Sequence, residues 1–547
     1  MVSGKKVLFG IQGPVVGFQD PWAAEASDRI MRTGTGAVIA SQDPRPEPRA
    51  YLAALRGLGA DFLVHHLIPG SPADDAMYSD LSASGMEICL ANEYGNVNGP
   101  WVPGTNRWDI PEAALRAAGR NCCGLLYDEP EHLQINAAQY RKDGWFPHWA
   151  ATDGMSLDAS RSAVEEAVRA RMEAYGRTLA ASGLPALPVV AEQVFPTMVH
   201  AFARAGMTPC PKIMKESFQS LALATALGAS RQYGRELWIC ADLWGPDTGR
   251  WFTRLPGFPG HAPEEFASAL RMGYLMGPER LFVENVDALA RHQGGRFIHT
   301  AFGDALEDFL RGFVPAHPLG HGHGDAVAET AVVASDDGAY GPRGTMFGNR
   351  TIPYGREIES LFAIWHLLSC GAIPSHGSCM HIPGFPFPRQ ELKKAVPVDR
   401  FPLPDGWTGG TLPPVHPLFY PLRNALRYDG YATEADLAPA SLILAGGSSV
   451  SPPTLAAMER RAAAGATVVV GRWIVEDASG NLRRGGRVGG GRWIVVESFL
   501  EEEAREAAYP FLPSDGVWRQ SFGGTEVRIR PHDPRGFTLD FEVGGKA

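Results

Sequence analysis

Carboxylic acids recur directly after short apolar runs along the first half of the chain, a pattern that can gather acid–base chemistry in one place. These acids are Glu93, Asp128, Glu129, Glu131, Glu192, Glu216, Asp242 and Glu284. A carboxylic acid can donate a proton, and its ionised form can accept one or attack a carbon centre. A single acid at such a position is often a helix cap or an ion-pair partner, as we expect for Glu131 and Glu216. The repetition predicts a concentrated site.

The elements that must position these acids alternate between short apolar runs and longer segments with helical spacing. The runs are 7–11, 62–66, 87–93, 124–128, 188–192, 212–215, 237–242 and 281–284. Segments such as 162–181 and 263–276 have one apolar helical face. Eight such units predict a (β/α)8 TIM barrel over residues 1–315, whose strand ends converge on one mouth. A further run at 37–40 could be an additional strand, which would raise every later strand number by one.

A change of pattern near residue 315 predicts a domain boundary. Residues 315–327 are rich in Gly, Pro and His, and the strand-like and helix-like runs that follow are 331–334, 356–368, 441–445, 453–464 and 466–470. They predict a smaller, doubly wound α/β domain over 316–480. Short alternating runs around Trp518 and 526–530 predict a small C-terminal β domain over 481–547.

Composition excludes several functional classes. The chain has 547 residues, of which 45% are hydrophobic and 20% charged, and this argues against intrinsic disorder. A formal net charge of -10 without a long basic run predicts no nucleic-acid partner. No signal-peptide core or membrane-length apolar stretch is present in the sequence, so we expect no membrane association and a cytoplasmic protein. Seven cysteines, most of them in apolar runs, do not indicate a disulfide framework.

Tryptophans in the segments that follow predicted strands indicate the class of ligand. They are Trp101, Trp108, Trp145, Trp149, Trp244 and Trp251. An indole ring offers an apolar face beside a polar rim, which suits the C–H faces of a sugar, although loop tryptophans also serve to fix long loops. Six of the 13 tryptophans lie on the same side as the acids, so the sequence favours a carbohydrate partner.

Cleavage of a glycosidic bond requires one carboxylic acid that protonates the leaving oxygen and a second carboxylate that attacks or activates water. We predict Glu129 as the acid/base and Glu284 as the nucleophile or base, with Asp242 as first substitute for the second role. Asp128 and Asn285 would tune these groups by charge repulsion and hydrogen bonding. The predicted substrate-binding residues are Asp128, Asn92, Glu93, Glu192, Trp244, Arg250, Asn285 and Trp145. This hydrolase is predicted to need no cofactor and no metal.

The order of the parts resembles the family 42 β-galactosidases and related clan A glycoside hydrolases. The likeness rests on acidic strand ends in the barrel, on Leu442-Ile-Leu-Ala-Gly-Gly-Ser-Ser-Val and Arg461-Ala-Ala-Ala-Gly-Ala-Thr-Val-Val-Val in the second domain, and on the small β domain that follows. The resemblance implies an amidotransferase-like second domain with a structural or oligomerising role, and a homo-oligomer, often a trimer in that family.

Clan A enzymes carry Asn-Glu after strand four and Glu after strand seven. In this chain Asp128-Glu129 follows the predicted fourth strand, Asp242 the seventh and Glu284 the eighth. If the run at 37–40 were a barrel strand, Asn92-Glu93 would fall on strand four and Glu93 would become a rival acid/base.

Two alternatives concern the second domain and the histidine-rich segments. An active glutaminase would need a cysteine in a strand-to-helix turn, but the run 441–445 ends in Gly-Gly-Ser-Ser, which leaves only Cys370 and His376 as candidates. The groups Cys370, His376, Cys379 and His381, and His317, His321 and His323, do not have the spacing of a closed zinc site. We expect ordinary hydrogen-bonding roles for these residues.

Two alternative functions use the same barrel. A divalent-metal-dependent sugar isomerase or epimerase would hold Mg²⁺ or Mn²⁺ with Glu93, Glu129, Glu192, Asp242 and Glu284, together with Lys215. A chelator would abolish that activity and spare a two-carboxylate hydrolase. A non-catalytic carbohydrate-binding protein would use the tryptophans, and its acids would only accept hydrogen bonds.

Overall fold

The structure, a computed structural model, describes nine stretches of the chain. They are residues 6–13, 48–67, 80–92, 110–135, 149–214, 219–243, 263–335, 346–373 and 419–545, without positions 82, 285, 353, 354, 478, 483–485 and 533–537. Within these stretches, no helix combines the length and the apolar character that crossing a bilayer requires.

Eight parallel strands close into a barrel, as the sequence predicts. The strands are β1 Leu8–Gln12, β2 Phe62–Leu67, β3 Glu87–Asn92, β4 Cys122–Asp128, β5 Val189–Gln193, β6 Thr208–Ile213, β7 Trp238–Ala241 and β8 Arg280–Val283. β1 pairs directly with both β2 and β8, so β2 and β8 are its two neighbours in the barrel. The run at 37–40 lies outside the described residues. Asp128-Glu129 therefore follows the fourth strand, and Asn92 lies at the end of the third.

β6 is the one barrel strand that the sequence misplaced. The run at 212–215 was predicted, whereas the strand spans Thr208–Ile213. Pro209 and Pro211 lack an N–H donor and usually argue against a central strand, which hid its first half. In the structure both prolines lie in the register with β5, and β6 pairs with β7 only at Lys212 and Ile213.

Helices connect the strands and cover the outside of the barrel. They are α1 Pro48–Gly57, α2 Glu112–Ala118, α3 Pro130–Ile135, α4 Leu157–Ala181, α5 Val199–Ala205, α6 Gln219–Tyr233, α7 Pro263–Leu275, α8 Val286–Leu289, α9 Ala301–Asp308 and α10 Val314–Ala316. α4 begins at the N-cap Ser156, whose side chain accepts a hydrogen bond from the amide of Ala159. It buries Val164, Val168 and Leu179, part of the predicted apolar stripe. A hairpin of β9 Ala290–Gln293 and β10 Arg296–His299 follows β8.

The barrel floor is a packed aromatic layer near the start of the strands. Phe62, Trp238 and Phe282 meet edge to face, with the Phe62 and Trp238 ring centroids 5.7 Å apart. Gly10 leaves room for them, because a Cβ atom there would lie 2.4 Å from the Phe62 ring. The Arg280 guanidinium lies over the rings of Phe62 and Trp238 and pairs with Glu87 at 2.7 Å. Function must therefore lie at the opposite end of the barrel.

The second domain is a six-stranded sheet with the order β12-β11-β13-β14-β16-β15. Its elements are β11 Thr330–Ala334, α11 Arg356–Leu368, β12 Ala425–Tyr428, α12 Glu434–Leu437, β13 Leu442–Gly446, α13 Pro452–Ala463, β14 Thr467–Gly471, α14 Arg472–Val475, β15 Gly486–Val488, β16 Gly491–Val496 and α15 Glu502–Ala508. Five of its strands are parallel, as a doubly wound fold requires. β15 and β16 lie beyond residue 480, in the stretch that the sequence pattern gave to the small β domain.

A three-stranded antiparallel sheet ends the chain. It consists of β17 Trp518–Phe522, β18 Thr525–Pro531 and β19 Leu539–Gly545. The Phe522-Gly-Gly turn and the run at 526–530 predicted its first hairpin from the sequence alone. The architecture is thus a TIM barrel, then a doubly wound α/β domain, then a β module.

Arg427 on β12 anchors the second domain to the barrel. Its fully buried guanidinium donates to the carbonyl of Pro196, after β5, and to that of Ser335, after β11, both at 3.1 Å. The carbonyl of Arg427 itself lies 3.0 Å from Nε2 of His200 on α5. On α6, a Cβ atom at Gly228 would lie 1.7 Å from that carbonyl oxygen, so only glycine permits so close an approach.

Candidate active site at the barrel mouth

Because side chains alternate between the two faces of a strand, polar side chains of several strands lie at the upper end of the barrel interior. Val190, Cys210, Cys240 and Phe282 belong to the apolar cluster that fills the barrel. Because every second residue of a strand faces the same side, the residues two positions further on lie in the next layer up. These residues are Glu192 on β5, Lys212 on β6, Asp242 after β7 and Glu284 after β8, joined by Asp128 and Glu129 at the end of β4.

A buried lysine stands at the centre of this layer. The ammonium of Lys212, on a side chain that is 1% exposed, lies within 4 Å of five carboxylates. The distances from Nζ are 2.8 Å to Asp128 Oδ1, 3.1 Å to Glu284 Oε2, 3.3 Å to Glu129 Oε1, 3.6 Å to Glu192 Oε1 and 3.8 Å to Asp242 Oδ2. Five ionised acids against one ammonium would leave four negative charges uncompensated in this group.

The local charges determine the protonation of the lysine. Burial by itself lowers the pKa of Lys212, but the carboxylates of Asp128, Glu192, Glu284 and Glu129 outweigh it and hold the pKa well above the ordinary lysine value. Lys212 therefore remains a cation at neutral pH. A buried lysine is rare unless it is paired, and here it is paired several times over.

Glu192 is an acid whose ionised form is disfavoured by its surroundings. Complete burial raises its pKa well above the ordinary range; Lys212 opposes this, while Asp128 and Glu284 add to it. The adjacent thiol of Cys240 also has a raised pKa, chiefly through burial. Atoms of Glu192, Cys240 and Glu284 lie within 4.8 Å of one another, close enough for one ion to contact all three.

Main-chain contacts fix the acids at the strand ends. The amide of Glu129 donates to the carbonyl of Glu192 at 2.7 Å, and that of Glu284 donates to the carbonyl of Ala241 at 3.1 Å. Glu129 also has a φ of 49°, in the left-handed region that disfavours side chains. Such strain is concentrated at functional positions, where the surrounding structure maintains it.

Glu129 and Glu284 come from strands that are not neighbours, yet they lie close together. Glu129 Oε1 and Glu284 Oε2 are 3.3 Å and 3.1 Å from the same nitrogen, so the two oxygens are no more than 3.3 plus 3.1, or 6.4 Å, apart. Their residues are 5% and 8% exposed, whereas Glu192 and Asp242 are fully buried. Glu129 and Glu284 are thus more accessible than Glu192 and Asp242, and Asp128 is as exposed as Glu129.

The predicted residues divide into a group that the structure brings together and a group that lies elsewhere. Asp128, Glu129, Glu192, Asp242 and Glu284 all meet at Lys212, and Asn92 is buried at the end of β3. The remaining predicted residues lie outside the described part of the chain: Glu93, Trp145, Arg250, Trp244 and Asn285, with Lys215 and Glu216.

Glu131 is structural, as expected. Its buried carboxylate accepts hydrogen bonds from the amides of Val194 and Phe195 at 2.7 and 3.0 Å and so ties the segment after β5 to α3. Burial, opposed by these amides, raises the pKa of Glu131 well above the ordinary range. It is thus a fixed support beside Glu129.

Trp149 is the only one of the six loop tryptophans within the described residues, and it packs rather than faces a ligand. It contacts the rings of Tyr127 and Phe202, and its indole N–H donates to the carbonyl of Pro130 at 3.1 Å. It therefore anchors the start of α3, directly after Glu129. The other five, Trp101, Trp108, Trp145, Trp244 and Trp251, lie outside the described stretches.

The linker histidines have the ordinary roles that the sequence predicts. His321 and His323 lie 2.9 Å from the carbonyls of Leu275 and Arg235 respectively, and His317 stacks on Phe313. In the group formed by Cys370, His376, Cys379 and His381, Cys370 lies just after α11. The other three residues are outside the described part of the chain.

Sequence reasoning missed Lys212 as a site residue. Placed at the start of a strand over 212–215, it would have lain at the barrel floor. The period-two pattern contained the signal, because Lys212 follows Cys210 by two positions as Glu192 follows Val190 and Asp242 follows Cys240. Cys240 was also predicted only as a packing residue.

Known structures share this three-part arrangement. A β-galactosidase from Bacillus circulans sp. alkalophilus superposes with a TM-score of 0.51 at 11% identity, covering 96% of this chain and 93% of the other. Gan42B, a GH42 β-galactosidase from G. stearothermophilus, gives 0.52 at 10% identity, covering 100% and 95%. The chain has the fold of the GH42 β-galactosidases. No family model matches the sequence, and no curated protein is similar to it at a significant level.

The GH42 fold accounts for the order of the domains that the sequence predicted. It does not account for the site, because identity near one residue in ten transmits architecture without fixing side chains. The lysine among five acids must be interpreted from its own geometry.

Proposed function

We propose that this chain is a glycoside hydrolase that cleaves an O-glycosidic bond of an oligo- or polysaccharide. Glu129 is the acid/base, and Glu284 is the nucleophile. The observation that carries the proposal is the approach of these two acids, from β4 and β8, to the same nitrogen at the barrel mouth. The GH42-like fold supports it, since the GH42 neighbours are β-galactosidases.

The upper limit on the separation of the two acids is compatible with retention of configuration, which we propose. Retaining glycosidases hold their carboxyl groups about 5 to 5.5 Å apart, and inverting ones hold them about 6.5 to 9.5 Å apart to admit a water. The upper limit of 6.4 Å between the two lysine-bound oxygens is compatible with the shorter spacing. Glu284 then attacks the anomeric carbon while Glu129 protonates the leaving oxygen, and Glu129 afterwards deprotonates the water that hydrolyses the ester.

The remaining acids would have supporting roles. Asp242, fully buried, lies behind the pair and remains the first substitute for Glu284. Asp128 shares the lysine with Glu129 and disfavours a second negative charge there, which would help Glu129 retain its proton. Binding of sugar hydroxyls by Asn92, Glu93, Glu192 and Arg250, and stacking by Trp145 and Trp244, stay predictions.

A panel of nitrophenyl glycosides, β-galactoside included, and oligosaccharides tests the proposal, with and without chelator. We expect at least one substrate to be cleaved with chelator present, with retention of configuration by NMR. E129Q is expected to lose kcat/KM on substrates with poor leaving groups far more than on dinitrophenyl glycosides, whose first step needs little protonation. E284Q should lose both. Wild-type kinetics in both single variants would contradict the assignment of the pair.

A second candidate, a divalent-metal-dependent sugar isomerase or epimerase, is favoured by one observation. The Glu192, Cys240 and Glu284 atoms that lie within 4.8 Å of one another could hold a metal ion. The sulfur of Cys240 suits Zn²⁺ better than Mg²⁺ or Mn²⁺, and a divalent ion bound there would polarise a sugar carbonyl. Interconversion of free sugars that a chelator abolishes, without cleavage of any glycoside, would favour this function over the hydrolase.

Assembly stays a proposal of the same kind. The resemblance to family 42 implies a homo-oligomer, and we propose a trimer formed through the α/β domain. Size-exclusion chromatography with light scattering distinguishes 59 kDa from its multiples.

A further inference from the structure

Lys212 contacts both proposed catalytic acids. β4 and β8 are separated by β5, β6 and β7 in the closed barrel, so no strand pairing links Glu129 to Glu284. The ammonium donates to Glu129 Oε1 at 3.3 Å and to Glu284 Oε2 at 3.1 Å. The link between the two acids therefore starts from β6, across the barrel interior.

The contacts of the Lys212 ammonium with Glu129 and Glu284 also concern the negative charge that passes between these two acids during the reaction. When a Glu284 oxygen bonds to the anomeric carbon, the C–O bond to the leaving group breaks and Glu284 becomes a neutral ester. The leaving oxygen takes the proton of Glu129, which becomes a carboxylate. The pair carries one negative charge before and after this step, but that charge passes from Glu284 to Glu129. Both residues lie at nearly equal distances from the ammonium.

We propose that Lys212 is a positioning residue that holds Glu129 and Glu284 at a fixed separation and remains paired with the negative charge as it passes from one to the other. This inference rests on the proposed function. Preorganised charge of this kind needs no reorganisation when the transition state forms. The other acids reinforce it, because Asp128 at 2.8 Å and Glu192 at 3.6 Å draw the ammonium to the centre of the group.

The test compares three replacements of Lys212 on the best glycoside substrate. K212M, which keeps the length of the side chain without its charge, is expected to lower kcat at least a hundredfold while KM changes less than about threefold. K212R, which keeps a charge, should recover at least tenfold over K212M. In K212A, which leaves space for a small amine, methylammonium is expected to raise kcat at least tenfold. Sodium and tetramethylammonium at equal ionic strength should not.

R280M is the matched control, because it removes a partly buried cation from the barrel floor. We expect it to lower stability, to leave kcat within about threefold of wild type and to show no amine rescue. If K212M does not fold, K212Q, which places a neutral polar side chain among the acids, replaces it with the same expected loss.

The outcomes separate this inference from the proposed function. If the wild type cleaves no glycoside, the proposed function fails and the inference fails with it. If the wild type cleaves a glycoside and K212M keeps wild-type kcat, only the inference is overturned. A loss of kcat in K212A that methylammonium does not restore, together with a K212R variant no better than K212M, would also overturn it.

Discussion

The two ends of the barrel interior each hold a cation, but in opposite electrostatic settings. At the floor, Arg280 pairs with the single carboxylate of Glu87, itself nearly half exposed, and lies over two aromatic rings. At the mouth, Lys212 is fully enclosed among five acids. The floor is charge-balanced and apolar, whereas the mouth has an excess of acid that folding alone does not explain. Charge balance thus distinguishes Arg280, which supports the fold, from Lys212, for which we propose a role in chemistry.

The largest expected difference between the two ends is catalytic. E284Q should lower kcat/KM about a thousandfold or more, since it removes the attacking group. E87Q at the floor neutralises a glutamate in the same way and should leave kcat/KM within about threefold of the wild-type value. Steady-state kinetics of both variants on one glycoside measure the contrast, and equal losses would remove the distinction between floor and mouth.

A replacement in the aromatic layer should show the reverse pattern. Phe62 is fully buried against Trp238 and Phe282, so F62A is expected to cost about 3 to 5 kcal/mol of stability through lost burial and a cavity. Activity per folded molecule should change little, because the mouth lies a layer above. Denaturant unfolding and active-site-normalised kinetics together test this, and a variant as stable as wild type would show that the layer can repack.

The buried acid Glu192 should make stability fall as pH rises. Its folded pKa is raised, chiefly by burial, so above the ordinary carboxyl pKa of about 4.3 the unfolded chain has lost a proton that the folded chain keeps. Unfolding free energy then decreases with pH from that point up to the folded pKa, by at most about 1.4 kcal/mol per pH unit for one group.

E192Q carries a neutral side chain in both states and should lack this contribution. We expect it to gain stability relative to wild type between pH 5 and pH 7, as followed by chemical denaturation at each pH. Parallel stability curves for the two proteins would mean that Glu192 is ionised in the folded state. E87Q, half exposed at the floor, serves as the control for general charge removal.

The smallest expected effect is a change of cation type at the floor. R280K keeps the charge but loses the planar guanidinium that lies over Phe62 and Trp238. We expect a loss of about 0.5 to 1 kcal/mol of stability, the usual size of a partly exposed cation–π contact, with unchanged kinetics. A larger loss of stability in denaturant unfolding would indicate that the pair with Glu87 contributes more than the rings.

The barrel could be predicted from sequence because parallel strands buried on both faces appear as continuous apolar runs. Runs such as 124–128 and 281–284 leave little ambiguity. β6 was located only in part because its first half, Thr208-Pro-Cys-Pro, lacks two amide donors. The barrel closes in spite of these missing donors, and the local propensity of the segment does not predict that closure. The assignment of 481–496 to the small β domain had a similar cause, since β16 pairs with β14 by a long-range parallel contact.

The site could be predicted as a set of residues but not as a network. The acids after β4, β5, β7 and β8 were visible because each interrupts an apolar pattern at its end. Their common partner, Lys212, was not visible. A lysine close to a strand boundary looks like a solvated side chain until the bounds of the strand are known. One misplaced strand boundary is therefore the reason that Lys212, the common partner of the acids, was not predicted.

Glu129 keeps a left-handed backbone conformation that glycine adopts without penalty, whereas another side chain pays about 1 to 2 kcal/mol for it. E129G should therefore relax the main chain while it empties the acid position, and the amide contact to Glu192 needs no side chain. The barrel would then retain its shape around a vacancy wide enough for formate or azide. With Glu129 as the proposed proton donor, E129G lends itself to conversion into a catalyst that builds glycosyl azides.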